Sequence, residues 1–208
     1  MNTRIIEKTK YKEVIKALKQ GEVVSFPTET VMGLAVDAFN KNAYTKLVDV
    51  KNRPANKAFP FIVKDKNEVS KYAYVDEKAN KIINKFMPGP LTIILKKNEA
   101  LPDYVTNNKD SIAIRIPDDE TVLKILNELD NPILLTSANK SGEDPALNSN
   151  QCYEVFNGEI PFIIKGECLI KEASTIIDLT DGEIKLIREG KISLEDIRKE
   201  IIWLWKYF

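Results

Sequence analysis

Strand and helix signals alternate along this sequence almost to its end, and that alternation limits the fold more than any other feature. A first helix carries the stripe Val14, Ile15 and Leu18, with Thr9 as its cap and Gly21 as its stop. VVSF (23–26) follows as a short strand running into Pro27, and Asn40 or Asn42 opens a second helix bearing Tyr44, Leu47 and Val48. FPFIV (59–63) reads as a buried strand, and DEKANKIINKF (76–86) as a helix ended by Pro88-Gly89-Pro90. LTIIL (91–95) and IAIRI (112–116) are strands, followed by a helix near 119–129 and the strand PILL (132–135). STIIDL (174–179) and EIKLI (183–187) pair through the Asp181-Gly182 turn. Ser193 caps a last helix, with Asp196 in the position of a capping box.

Strands interleaved with helices require a sheet with helices packed on it, and the strand pairs near 91–116 and 174–187 make that sheet mixed rather than purely parallel. No linker, repeat or low-complexity segment divides the 208 residues, so 1–208 is read as a single α/β domain. The apolar tail IIWLWKYF (201–208) is read as a last helix docked on the core in preference to a partner surface.

The chain contains no histidine, which excludes Ser-His-Asp and Cys-His nucleophilic systems and any imidazole-bound metal. Cys152 and Cys168 are too few for a structural zinc site and are read as reduced thiols. Chemistry must therefore rest on hydroxyls, carboxylates, amides and cations. Lys and Arg number 31 against 31 Asp and Glu, so a general nucleic-acid coat is not implied, although a local basic face is allowed. No apolar run reaches the length of a membrane span and the first residues lack a signal-peptide core; a cytoplasmic location with no membrane partner is expected.

Four segments depart from a plain core pattern. PTETVMGL (27–34) leaves a strand with hydroxyls and a glycine: either a polar βα connection lining a site, or a helix N-terminus capped by Thr28 or Thr30. KNRPANK (51–57) holds Lys51, Arg53 and Lys57 without an acid. These cations either complement a helix dipole at a C-terminus ended by Pro54, or converge on a polyphosphate once the backbone leaves the helix. LLTSANKSG (134–142) sets Thr136, Ser137, Asn139, Ser141 and Gly142 after a strand, as an anion-binding concavity or an ordinary polar turn; it is not a Walker A loop. In IAIRI, Arg115 shares a face with Ala113 and opposes Ile112, Ile114 and Ile116; lining a cavity, it would clamp a carboxylate or phosphate. EAST (172–175) and LIREG (186–190) add a hydroxyl pair and a further arginine.

The ordered series PTETVMGL, KNRP, MPGPLTIIL, IAIRIP, TSANKSG, EASTIID and LIREG resembles the L-threonylcarbamoyladenylate synthase (YrdC-like) family, from about residue 12 to residue 192. The resemblance implies a twisted mixed sheet with flanking helices around a large, positively charged cavity. It implies synthesis of threonylcarbamoyl-AMP from L-threonine, bicarbonate and ATP with release of pyrophosphate, for the modification at position 37 of tRNA. Carried across by motif, Thr28, Thr30, Arg115 and Ser174 would hold threonine. Lys51 and Arg53 would serve catalysis, and with Lys57, Ser111, Ser137, Asn139, Ser141 and Arg188 would bind the nucleotide. Mg²⁺ would arrive with ATP, with no metal ligand from a protein side chain. Adenylyl transfer of this kind is positioning plus charge neutralisation, which Lys and Arg supply without a histidine base.

Met32, Pro145 and Glu189 depart from the family pattern, standing where an aromatic, a Ser or Thr, and a Pro are usual. The length implies the short form without the extra C-terminal domain, so that a separate tRNA threonylcarbamoyl transferase complex would be its partner, with weak tRNA binding allowed. An RNA-binding or ribosome-associated module, or a divergent paralogue with altered substrate, is the alternative reading.

Overall fold

The computed structural model describes residues 2–53, 57–98 and 101–202. In chain order it runs β1 (Arg4–Ile6), α1 (Tyr11–Lys19), β2 (Val24–Phe26), β3 (Gly33–Asp37), α2 (Lys41–Lys51), β4 (Phe61–Ile62), α3 (Lys66–Tyr72) and α4 (Glu77–Phe86). There follow β5 (Leu91–Lys96), α5 (Asp103–Thr106), β6 (Ser111–Arg115), α6 (Glu120–Leu129) and β7 (Ile133–Ser137). The chain ends with α7 (Ser149–Phe156), β8 (Phe162–Ile164), β9 (Thr175–Asp178), β10 (Lys185–Arg188) and α8 (Leu194–Ile202). None of the described helices is long and apolar enough to cross a membrane.

Short polar side chains start most of these helices. Asn40, Asp65, Asp76, Asp119 and Asn148 each accept a hydrogen bond from a backbone N–H in the first turn, satisfying donors that the helix itself leaves open. Asn40, not Asn42, is thus the cap of α2. Thr9 does not cap α1: it lies in a 3-10 turn over Lys8–Lys10, and no side chain caps the helix. The Ser193 cap holds, with Asp196 N–H donating to Ser193 Oγ at 3.1 Å. The docking expected of the apolar tail falls mainly on 203–208, outside the described residues.

One sheet of ten strands runs in the order β1-β8-β2-β3-β7-β4-β6-β5-β9-β10. Its pairings include the parallel β4–β6 and β5–β9 and the antiparallel β3–β7, β5–β6 and β9–β10, so the sheet is mixed. The period-two alternation of each strand divides its residues between two faces. Leu34 and Val36, Leu134, Ile93, Ile112 and Ile114 pack on one face with apolar residues of α2, α3, α4, α7 and α8. On the opposite face Val24, Phe26, Ala35, Ile62, Ile133 and Leu135 pack under α1 and α6 through Val14, Leu18, Val122 and Ile125. That second cluster takes no residue from β6, β5 or β9. Over those strands the same face of the sheet is left for a cavity.

Candidate functional site

A cavity of about 600 Å³ lies on this uncovered face, within the size range of small-molecule sites. Its floor is made by alternate residues of neighbouring strands: Ser111, Ala113 and Arg115 of β6, Thr92 and Ile94 of β5, and Ile176 of β9. The residues between them, Ile112, Ile114 and Ile93, go to the core, which is the alternation the sequence shows for IAIRI. Arg53, Lys57, Lys109, Arg115 and Arg188 line the wall, together with small hydroxyl side chains; no lining residue among those described is an acid.

The PTETVMGL segment is a connection between two strands, since β3 begins at Gly33 and pairs antiparallel with β2. Both sequence readings of it, a βα connection and a helix N-terminus, are corrected: GLAVD is buried at every position and alternates as a strand, a pattern hidden by the polar residues before it. Thr28 and Thr30 are buried and line the cavity. Arg115 Nη2 donates to Thr30 Oγ1 at 3.0 Å, the Thr30 and Thr28 hydroxyls lie 2.8 Å apart, and Thr28 Oγ1 donates to Val31 O at 2.8 Å. Arg115 also donates from Nε to Gly89 O at 3.3 Å and from Nη2 to Glu29 Oε1 at 2.7 Å. Met32 is fully buried and lines the cavity, its N–H donating to Ala146 O at 3.0 Å.

At the end of α2 the backbone leaves the helix at Asn52, which adopts a left-handed conformation (φ 48°) and serves as the C-cap. Pro54, expected as the terminator, lies outside the described residues. Lys51 and Arg53 therefore separate into different roles. Lys51 is 2% exposed and does not line the cavity; its Nζ donates to Ser137 O at 2.5 Å, Ser137 Oγ at 3.3 Å and Asn139 Oδ1 at 2.7 Å. Burial, reinforced by Arg53, pulls its pKa down to about 7. Arg53 lines the cavity, stacks over the Phe59 ring at 4.6 Å, and donates to Lys57 O and Ala58 O at 2.8 and 2.7 Å.

Ser137 faces the cavity, whereas Asn139 is committed to the turn. Its Oδ1 accepts from Lys51 and Ser137, and its Nδ2 donates to Lys140 O and Glu143 O, both at 2.8 Å. Ser141 is exposed and does not line the cavity; its N–H ties the turn to Lys51 O at 3.0 Å. On the far wall Ser174 Oγ lies 2.9 Å from Thr92 Oγ1. Arg188 grips Ser174 O from Nε and Nη2 at 3.1 and 2.8 Å. Burial and the neighbouring Arg115 lower the Arg188 pKa. Glu189 turns away from Arg188 and accepts from Leu194 N at 3.1 Å, at the start of α8. Ser111, Lys57 and Arg188 thus stand on the wall with Thr28, Thr30, Arg53, Arg115, Ser137 and Ser174, while Lys51, Asn139 and Ser141 stand behind or outside it.

Sequence reasoning missed Glu29, Thr92 and Lys109, and named Thr136, which lines the cavity, without giving it a ligand. Thr92 had a signal in the polar position inside LTIIL, and Glu29 in an acid placed between two threonines. Lys109 carried none.

Fold and site together define a class: mixed-sheet α/β proteins with a hydroxyl-rich cavity walled by cations and built to receive anionic small molecules. A family profile described as Telomere recombination (Sua5/YciO/YrdC) matches residues 16–190, and the chain belongs to that family. It is 40% identical to a protein of Methanocaldococcus jannaschii named putative threonylcarbamoyl-AMP synthase, over 90% of this chain and 91% of that one. A threonylcarbamoyl-AMP synthase of Vibrio parahaemolyticus is 32% identical, over 86% of this chain and 98% of its own. Among solved structures, that of Pyrococcus abyssi Sua5 complexed with L-threonine superposes with a TM-score of 0.89 at 35% identity, covering 96% of this chain. The match covers 59% of the Sua5 chain, so this protein spans about three fifths of its length.

Proposed function

We propose that the protein is a threonylcarbamoyl-AMP synthase, joining L-threonine, bicarbonate and ATP with release of pyrophosphate. The observation that carries this reading is a cavity of about 600 Å³ whose described lining includes five cations and several hydroxyl side chains, in a chain related over most of its length to proteins of that name. The threonine amine attacks the carbon of bicarbonate, and loss of water leaves an N-carboxylate. An oxygen of that carboxylate attacks the α-phosphorus of ATP as the bond to the bridging oxygen breaks and pyrophosphate departs.

The residues suit these steps by position and charge. Arg115, set among Thr28 and Thr30, offers a fixed guanidinium to the threonine carboxylate, and Ser174 with Thr92 offers hydroxyls close by. Arg53 and Lys57 face the phosphates, where their charge offsets that accumulating on the leaving pyrophosphate. Lys51 acts from behind, holding Ser137 and Asn139 so that the turn keeps its shape beside the nucleotide.

No group of three or more acidic or cysteine side chains that could hold a metal is present among the described residues. Mg²⁺ would in this reading be brought by ATP and would neutralise phosphate charge. In this reading the product passes to a separate tRNA-modifying transferase, any tRNA contact of the protein itself is weak, and the location is cytoplasmic. Incubation with ATP, L-threonine and ¹³C-bicarbonate tests it directly. The expected product is one species containing ¹³C, threonine and AMP; AMP formed without incorporated ¹³C overturns the reading.

A further inference from the structure

Five cations line the cavity, but they are not electrostatically equivalent. Arg53, Lys57, Lys109 and Arg188 make no ion pair among the described residues, whereas Arg115 is paired at 2.7 Å with Glu29. Both partners of that pair are buried, at 7 and 8% exposure, and Glu29 lies behind the cavity wall rather than in it. Glu29 Oε2 has no hydrogen-bond partner among the described residues, so the carboxylate is fixed by Arg115 alone on its side chain and by its own main chain. That main chain is anchored: Ile170 N–H donates to Glu29 O at 2.9 Å and Lys171 N–H to Thr30 O at 3.0 Å. A carboxylate held so firmly in a low-dielectric setting acts on its surroundings far more strongly than one in water.

We infer that Glu29 sets the specificity of the Arg115 end of the cavity, making it accept the carboxylate of a zwitterionic amino acid and refuse a phosphate chain. The inference rests on the synthase reading above and deepens it. Its physical basis is charge matching. A lone guanidinium attracts any anion, and most strongly one with several charges, so an unpaired Arg115 would compete with Arg53 and Lys57 for the triphosphate. Pairing with Glu29 offsets the charge of Arg115 itself, with Arg188 beside it as a cation unpaired among the described residues, and leaves Arg115 Nη1, which has no partner among them, as a donor to one carboxylate oxygen. A zwitterion presents one negative and one positive group and loses little against such a pair; a polyphosphate meets the buried negative charge with nothing to offset it. Glu29 is a positioning and specificity residue, acting through Arg115.

The test compares wild type with Glu29→Gln, which keeps an oxygen for Arg115 Nη2 and removes the charge. Pyrophosphate release is followed while L-threonine and ATP are varied separately, with inorganic tripolyphosphate as the competing anion. In the wild type, tripolyphosphate should compete with ATP and not with threonine. In the variant the freed charge on Arg115 should let tripolyphosphate compete with threonine, raising the apparent threonine KM about tenfold at a tripolyphosphate concentration that leaves the wild-type value unchanged. The KM for ATP should stay within about twofold, and tripolyphosphate should gain competition against threonine. A folded variant whose threonine KM is as insensitive to tripolyphosphate as that of the wild type, or both KM values rising in parallel, overturns the inference. Should the variant not fold, the wild-type pattern decides: competition between tripolyphosphate and threonine there overturns it. A wild type without threonine-dependent release removes the synthase reading itself, and the inference with it.

Discussion

Lys51 and Arg53 stand two positions apart, and the left-handed Asn52 between them sends one into the protein and the other to its cavity. Burial pulls the Lys51 pKa down to about 7, so near pH 8 a fraction of this side chain is expected to lose its proton without ligand. A triphosphate bound nearby favours the charged form and raises that pKa, so binding at pH 8 should take up a proton. Calorimetry of ATP binding in buffers of differing ionisation enthalpy should detect this uptake in wild type and lose it in Lys51→Met; equal uptake in both removes Lys51 as its source. Arg53→Ala should abolish most threonine-dependent pyrophosphate release with only a small change in Tm, because its two carbonyl acceptors lie on a loop, at exposed Lys57 and half-buried Ala58, outside any helix or strand. A fall in Tm matching the fall in activity would return Arg53 to a purely structural role. At this scale much was legible. Alternation alone put Arg115 on a face with Ala113, and the acid-free Lys-x-Arg window marked the cation cluster. What the sequence lacked was depth: nothing in KNRPANK or TSANKSG distinguishes a side chain on the wall from one buried behind it, since Lys51 and Asn139 are buried by partners distant in sequence.

Among the elements, the cavity depends on two close backbone approaches. The β3 strand brings Gly33 opposite Ser137, where an added Cβ would meet Leu135 Cδ1 at 2.6 Å. Gly190 lies against the segment carrying Ser174, and a Cβ there would meet Ala173 O at 2.1 Å, far inside van der Waals contact with backbone that cannot swing away. Gly190→Ala should therefore push β10 and Arg188 off Ser174. The expected result is a Tm lowered by several degrees, corresponding to about 1–3 kcal/mol, and a raised threonine KM. A variant with wild-type melting and kinetics would show that this approach is not needed. Strong periodic elements such as α4, α6 and β5 could be read from sequence. Others could not: β3 is buried throughout but follows a polar segment and ends in Asp37, and β1, β8 and α7 are too short for their period to stand out.

Over the whole molecule, a neutral chain gathers uncompensated cations at one place by covering one sheet face unevenly. The helices α1 and α6 shield that face over β2, β3, β7 and β4, and stop before β6, β5 and β9. Strands β6, β5 and β9 then supply alternate residues to a cavity whose wall is cationic, with the buried Glu29 behind it. In the proposed reading this division gives one end to the amino acid and another to the phosphate chain, as a reaction joining the two requires. The resemblance of ordered motifs made the family legible; the uneven covering of the sheet was not, because it depends on which strands adjoin, an order that crosses the chain repeatedly. The most direct test is pyrophosphate release from ATP by the wild-type protein, with L-threonine and bicarbonate omitted in turn. Release that falls to background when either is missing is the expected result; release that continues without threonine would contradict the account.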